Sequence, residues 1–514
     1  MLTLLRNGRI YSPFAPSASA MLVEDDRVRW LGEEAEAAEL RADRTVDLAG
    51  GLLTPAFVDA HFHATATGLA LSGLDLAGCA SLAEALAALQ RQASQVRGRP
   101  VLGSGWDETN WPERRAPTAA ELDRASYGGV VYLARTDAHS AVVSSALMAA
   151  LPELTGLDGY QPTGLLTKQA HHAARQLALS SIRDGQRAEL HRTALRHAAS
   201  LGVVAVHEMA GPEISSAPDL AALLALSRQD QTLPEVYGYW GELHGAARAR
   251  ELGAVGAGGD LFVDGSIGSH TAGMHQCYQD ADTAGYLRFE TAELAEHIVA
   301  CTEAGLQAGF HAIGDAATDQ VVAAMRLAAG RLGANRLAAA RHRIEHAELL
   351  TDVPALAATG LIASVQPAFD ATWGGPDRMY AQRLGAERAS RLNPLAALAA
   401  AGAPLALGSD SPVTPVDPWG AVRAAAYPRY PQHALTVRAA LAAHCRGGWR
   451  AANADGDGSG ALLPGAPASY AIFQAGEPAP DQLGLPDLAP GGPLPRCQRT
   501  VLRGRQLYDS GELG

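Results

Sequence analysis

The sequence predicts an α/β protein built on a (β/α)8 barrel of the TIM type. A small β-sandwich domain from both chain ends and a subdomain inserted after the first barrel strand complete it. Three observations carry this expectation. Between residues 51 and 455, short apolar runs alternate with long Ala/Leu-rich stretches of helical period, such as SLAEALAALQRQA and TDQVVAAMRLAAGRL. Eight such apolar runs can be counted, enough to close a barrel. The two chain ends have another texture, of alternating strand-like segments between Gly, Asp and Asn turns.

Residues 1–50 open with LTLLRNGRIYS and SAMLVEDDRVRWLG and lead into RTVDLAGGLLTPAF. Residues 456–514 end on PASYAIFQAG and RTVLRGRQLYDSG, and the two groups are expected to form one composite sandwich. The barrel, residues 51–455, takes its strands from LTPAFVDAHFH, GVVAVHEM, PEVYGYW, DLFVDGS, LQAGFHAIGD, RHRIEHAE, LIASVQP and APLALGSD. The gap from about residue 68 to 200 carries strand-like runs of its own, VLGSGWDE and VVYLARTDAHS. It reads as an inserted subdomain over the barrel mouth, and residues 452–460 read as a linker leaving the barrel.

Bulk properties exclude several functions. At 514 residues with 47% apolar side chains, there is material for a large core and two to four domains. A net charge of −13 argues against nucleic acid or an anionic membrane as partner. No run of about 18 apolar residues appears, and the opening MLTLLRNGRIYSPF lacks a basic n-region followed by a long apolar stretch, so no secretory signal is expected there. Five scattered cysteines fit a reducing compartment, so a cytoplasmic location is expected. Lys168 is the only lysine, and every other basic side chain is arginine or histidine.

The informative residues are placed by position. His61, His63, His207, Asp264, His311, His346 and Asp410 each fall at the C-terminal end of an expected strand, where barrel active sites are built. His171, His172, His191 and His197 fall in helical stretches instead. In His61-Phe62-His63, residues two apart on a strand point the same way, so both imidazoles can grip one metal ion. His311 and His346 end the fifth and sixth strands, and Asp410 follows the eighth. The ligand set is therefore His61, His63, His311 and Asp410, with His346 as second choice. Trp106, Asp107, His139 and His207 are candidates to line the substrate pocket, with ordinary packing as the alternative. Gly265–Ser269 lacks the Lys-Ser/Thr of a nucleotide-binding loop.

These motifs resemble a known family. PAFVDAHFH, FHAIGDAATDQ, RIEHAELL and LGSDSPV are similar to the metal-ligand motifs of the amidohydrolase superfamily. GSGWDETNWPERRAPTAAELD, DAHSAVVSSALM, PTGLLTKQA and DLFVDGSIGSHTAG resemble the branch (amidohydrolase 3 type) that includes N-substituted formamide deformylases. The resemblance covers nearly the whole chain. It implies the barrel-plus-sandwich fold and hydrolysis of an amide-like C–N bond, and such barrels often pair as homodimers. Members of this branch often carry a lysine on the fourth strand that becomes carboxylated and bridges two metals. This chain has Asp260 there. A carboxylate so much closer to the backbone than a lysine carbamate is expected to need a backbone shift to reach two metals. The expectation is thus one divalent ion, zinc before iron or manganese, no carboxylated lysine, and Asp260 as an outer or weak ligand.

The chemistry expected of that set is hydrolysis of a small non-peptide N-acyl or N-formyl amide by water activated on the metal. Asp410 would shuttle the proton, and the metal or His346 would stabilise the oxyanion. Two alternatives stay open: a deaminase or cyclic-amide hydrolase using the same residues, and a non-catalytic barrel with a binding or scaffold role.

Overall fold

The computed structural model describes residues 1–96, 98–480 and 482–513. Eight parallel strands line up in sequence order: β1 (Phe57–Phe62), β2 (Val203–Ala210), β3 (Glu235–Trp240), β4 (Gly256–Ala257), β5 (Gln307–Ala312), β6 (Arg343–His346), β7 (Ile362–Val365) and β8 (Leu405–Leu407). All residues of β1 and β2 are buried, as a barrel strand covered on both faces requires. The ring is completed where β8 runs out beside β1. There the Asp410 amide donates to the His61 carbonyl at 2.8 Å, and Phe62 bridges to Ser411 in parallel. Gly408 makes this seam possible, since a Cβ there would lie 2.5 Å from the His61 nitrogen.

Seven of the eight expected strands lie where the sequence put them, and the fourth does not. DLFVDGS was expected to be a strand, but β4 is two residues, Gly256–Ala257, and ends before it. The cause is the glycine pair that follows. Gly258 sits at φ +144° against the backbone of Gly309 on β5, where a Cβ would meet the Gly309 nitrogen at 2.2 Å. Gly259 follows at φ +77°. The chain leaves the sheet at this close approach and re-enters only through a single bridge from Phe262 to His311.

The sandwich is built from two sheets. One holds Leu2–Arg6, Ala20–Glu24, Arg27–Gly32 and Arg44–Asp47; the other holds Arg9–Ile10, Leu52–Pro55, Tyr470–Gln474, Arg496–Leu502 and Arg505–Asp509. Leu5, Met21 and Val46 from the first pack with Leu53, Ile472 and Val501 from the second. Leu52–Pro55 therefore belongs to the sandwich, although it lies past residue 50. An edge-to-face cluster of Phe57, Trp419 and Phe473 carries the barrel core into this domain.

The insert has its own five-stranded sheet, ordered Leu165–Thr167, Ser140–Val143, Val131–Arg135, Val101–Trp106, Leu74–Asp75. The helix Lys168–Ser180 follows it. The next helix, Asp184–Ser200, packs on β2 and on Ala64–Ser72, so it belongs to the barrel's outer ring. Among the described residues no helix is long and apolar enough to cross a membrane.

Candidate metal centre

Four imidazoles at the strand ends each present one ring nitrogen inward and fix the other on an outer acceptor. Nδ1–H of His61 donates to the Glu345 carboxylate at 2.9 Å, and that of His63 to the Met209 carbonyl at 3.0 Å. Nδ1–H of His346 donates to Gln366 Oε1 at 2.8 Å, and Nε2–H of His311 to the Gly265 carbonyl at 3.2 Å. Such partners set the tautomer and aim the remaining lone pair.

The inward nitrogens converge on one side chain. Oδ2 of Asp260 lies 3.4 Å from His61 Nε2 and 3.3 Å from His63 Nε2. Its Oδ1 lies 3.4 Å from His311 Nδ1 and 3.7 Å from His346 Nε2. Asp410 Oδ1 closes the near side, 3.0 Å from His63 Nε2 and 3.5 Å from His61 Nε2. His61 Nε2, His311 Nδ1, His346 Nε2, Asp260 Oδ1 and Asp410 Oδ1 are all buried without a hydrogen-bond partner. Each such atom costs about 1–3 kcal/mol when nothing satisfies it. Five that face one another, all bearing lone pairs, suit a cation. Two overlapping triads, which share His61 Nε2, each bring their ligand atoms within reach of one ion: His61, His63 and Asp410, or His61, Asp260 and His346.

Asp260 is thus central, where sequence reasoning put it at the margin. Gly258 and Gly259, at φ +144° and +77°, turn the chain out of the sheet immediately before it. His346 and Asp410 are held in the left-handed region, at φ +70° and +55°, a strain of the kind that concentrates at functional sites. Burial opposes charge throughout the cluster, but the carboxylates of Asp260 and Asp410 overcome it. They raise His61 well above the usual imidazole range and His63 to about 9. The carboxylates are lowered in turn by the same imidazoles, against the effect of burial. Two ionised acids in an enclosed space draw in whatever positive charge is available, and a divalent ion would displace the protons.

Behind this layer lies a second. Burial resists ionisation of Glu345, yet Arg343 and His61 hold its pKa at about 2. Arg343 also reaches the Ala60 carbonyl and Ser364. Sequence reasoning missed Glu345 and Gln366. A signal was present for the first: HRIEH puts several ionisable residues into a strand with no solvent-facing side.

Of the expected pocket residues, only His139 borders the cleft above this centre, its ring 5.1 Å from that of His311. Trp106 packs in the insert core and donates its indole N–H to the Leu133 carbonyl, so it supports the cleft from behind. Asp107 accepts from Thr109 and Arg135 instead of facing substrate. His207 is fully buried beneath the barrel mouth, its Nδ1 taking a hydrogen bond from Arg343 at 2.9 Å. Asp264 braces a loop by accepting the amides of Gly273, Ile313 and Gly314.

Comparison with known proteins agrees with this architecture. The model of the amidohydrolase family, type 3, matches residues 44–508. The chain belongs to the amidohydrolase family. Membership places it among metal-dependent hydrolases. Of this family's relatives, Protein LONG AFTER FAR-RED 3 of Arabidopsis thaliana is 28% identical over 91% of this chain and 86% of its own length. The N-substituted formamide deformylase of Arthrobacter pascens is 24% identical over 82% of this chain and 84% of its own. The crystal structure of an uncharacterized metal-dependent hydrolase from Pyrococcus horikoshii OT3 superposes with a TM-score of 0.73 at 27% identity. It covers 93% of this amidohydrolase chain and 98% of the other.

Proposed function

We propose that this amidohydrolase cleaves the C–N bond of a small non-peptide amide of the N-acyl or N-formyl type, at a centre built for two divalent cations. The observation that carries the reading is Asp260, one carboxylate oxygen facing His61 and His63 and the other facing His311 and His346. On this reading His61, His63, Asp410 and Oδ2 of Asp260 would hold one ion, and His311, His346 and Oδ1 of Asp260 the other. This replaces the single-ion expectation, because the side chain thought too short to bridge already lies between both pairs. Zinc is the first choice by donor set, imidazole and carboxylate, with iron or manganese next. When bound, such ions polarise a carbonyl oxygen and lower the pKa of water from 15.7 toward about 7.

The chain's own residues do the rest. Asp410 takes a proton from the attacking water and returns it to the leaving nitrogen. With its Nδ1–H committed to Gln366, His346 turns a lone pair inward. It serves as a ligand, and the oxyanion role expected of it passes to a group with a proton to donate. His139 has one: burial and the nearby His311 push its pKa down to about 3, so it stays neutral, and its ring makes no hydrogen bond among the described residues. The five cysteines are all unpaired, which fits the reducing, cytoplasmic setting read from the sequence.

The test is metal analysis of the purified protein together with a screen of N-formyl, N-acyl and cyclic amides under added zinc, manganese or iron(II). Two equivalents are expected, with turnover that falls at least about 10²–10⁴-fold in Asp410→Asn. One equivalent would return the single-ion reading. No metal and no turnover would leave a binding or scaffold protein.

A further inference from the structure

The cleft above the candidate metal centre carries one charge that has no ion-pair partner of its own among the described residues. Its floor is His63, Asp260, His311, His346 and Asp410, and its walls are largely apolar, with Leu102, Leu179, Ile214 and Phe262 among them. Two arginines border it. The charge of Arg135 is compensated: Asp107, Glu108 and Asp137 surround its guanidinium at 2.9–3.1 Å. Arg175 differs. It lies on the helix Lys168–Ser180, half-buried, and among the described residues it forms no ion pair. Its guanidinium donates only to two backbone carbonyls, those of Ala138 and Glu213. Those two bonds fix the group in place, and the nearest carboxylate, Glu213, which feels the Arg175 charge, is already paired with Arg288, so two guanidinium groups share one carboxylate.

The neighbours are engaged elsewhere. Glu213 is engaged by Arg288 and, at 3.4 Å, by His172. Tyr132 gives its hydroxyl to His171 at 2.9 Å. His171 and His172 both have lowered pKa values, through burial first and with the Arg175 charge among the further causes. Around neutral pH this wall is one fixed cation among uncharged imidazoles. A lone cation beside apolar surface is costly unless an anion completes it. Because Arg175 lines the same cleft as His139 and His311, an anion held by it would share the space that receives the substrate.

We propose that Arg175 is a specificity-determining residue that binds a carboxylate carried by the substrate, so that the preferred substrates are amides with an apolar body and a nearby carboxylate. A carboxylate is favoured over a dianionic phosphate because only one guanidinium is on offer and the rest of the wall is apolar or neutral. The scissile bond in this statement rests on the amide-hydrolase reading above, but the binding preference does not.

The test uses the metal-loaded protein and matched compounds: N-acetyl-leucine and N-isopentylsuccinamate, which carry the carboxylate on the amine and the acyl side, against neutral N-isopentylacetamide. Binding is read by calorimetry and, where turnover occurs, by kcat/KM. At least one carboxylate compound is expected to exceed the neutral one by about 10–100-fold, the range of a charge-assisted hydrogen bond. In Arg175→Gln that ratio should collapse toward one, and Arg175→Lys should retain part of it. The lysine variant also serves if the glutamine variant fails to fold through loss of the two carbonyl contacts. Equal binding of the neutral and charged compounds by the wild type would overturn the proposal, as would a ratio that survives in both variants. Absence of turnover with the binding ratio intact would sink the hydrolase reading and leave the anchor standing.

Discussion

Two buried acidic clusters lie at the mouth of this barrel, and they differ in where their positive charge comes from. Asp107, Glu108 and Asp137 enclose Arg135, and Arg383 reaches Glu108 from the barrel side. Ser266 and Ser269 add hydroxyl donors to Asp137. That cluster is complete within the chain and clasps the insert to the loop after β4. Asp260 and Asp410 have no arginine or lysine within ion-pair reach among the described residues, only imidazoles whose outer nitrogens are already committed. Count of acids does not separate the two. The supply of an internal cation does, and it marks one cluster as a clasp and the other as the candidate metal centre.

The largest effect should come from removing the clasp's cation. Arg135→Met would leave Asp107 and Asp137 without a cation, and Glu108 with Arg383 alone, in a space where Arg135 itself is only 3% exposed. Loss of one partner from a buried ion pair costs about 3–5 kcal/mol. The expected outcome is a large fall in thermal midpoint that added zinc does not repair. Destabilisation rescued by metal would mean that the two clusters are not separate.

Next comes the outer layer of the metal centre. Glu345→Gln keeps the shape but weakens the acceptor for His61 Nδ1–H and removes the counter-charge of Arg343. Outer partners of this kind are worth about 10–100-fold in metal affinity. Competition with a chelator should show that loss while the barrel still folds. An unchanged affinity would relegate Glu345 to holding Arg343.

The difference between the clusters also explains what could be read without coordinates. His61-Phe62-His63, His311, His346 and Asp410 were legible because strand period and strand-end position are properties of local sequence. The expected fourth strand failed because DLFVDGS has a strand's composition, while the approach of Gly258 to Gly309 on β5 is a tertiary fact. The role of Asp260 fell with it, since its reach depends on where the strand stops. Trp106, Asp107 and His207 misled in the opposite way. They have the chemistry of pocket residues, but their partners Leu133, Arg135 and Arg343 turn them away from the cleft.

Acid should also test three buried imidazoles that lie outside both clusters. His297 accepts the His244 amide at Nδ1 and donates from Nε2 to the Ala257 carbonyl, so it is neutral in the fold. Burial pushes its pKa, and those of His342 and His444, down to about 4. The unfolded chain takes up these protons near pH 6.5, so their contribution to stability falls as pH drops from about 6.5 toward 4 and no further below that. Buried carboxylates raised to about 7, such as Glu208 and Glu348, act in the opposite sense over the same range, so the histidine contribution is read by comparison with a variant. His297→Gln, which can both donate and accept but cannot titrate, should shrink that fall, read against the wild type as the thermal midpoint at pH 5 and pH 7.

The smallest effect is assigned to the only lysine. Lys168 is paired with Asp158 at 3.1 Å on the insert, where the lysine side chain is 36% exposed and its partner 64%. Exposed pairs contribute about 0–1 kcal/mol. If the bridging position of the metal centre belongs to Asp260, Lys168→Ala should leave metal content and catalytic rate as they are and shift the thermal midpoint barely at all. Asp260→Asn should reduce the bound metal from two equivalents under the same conditions. A loss of metal from the lysine variant would reverse the assignment, because no other side chain in this sequence could form a carbamate in its place.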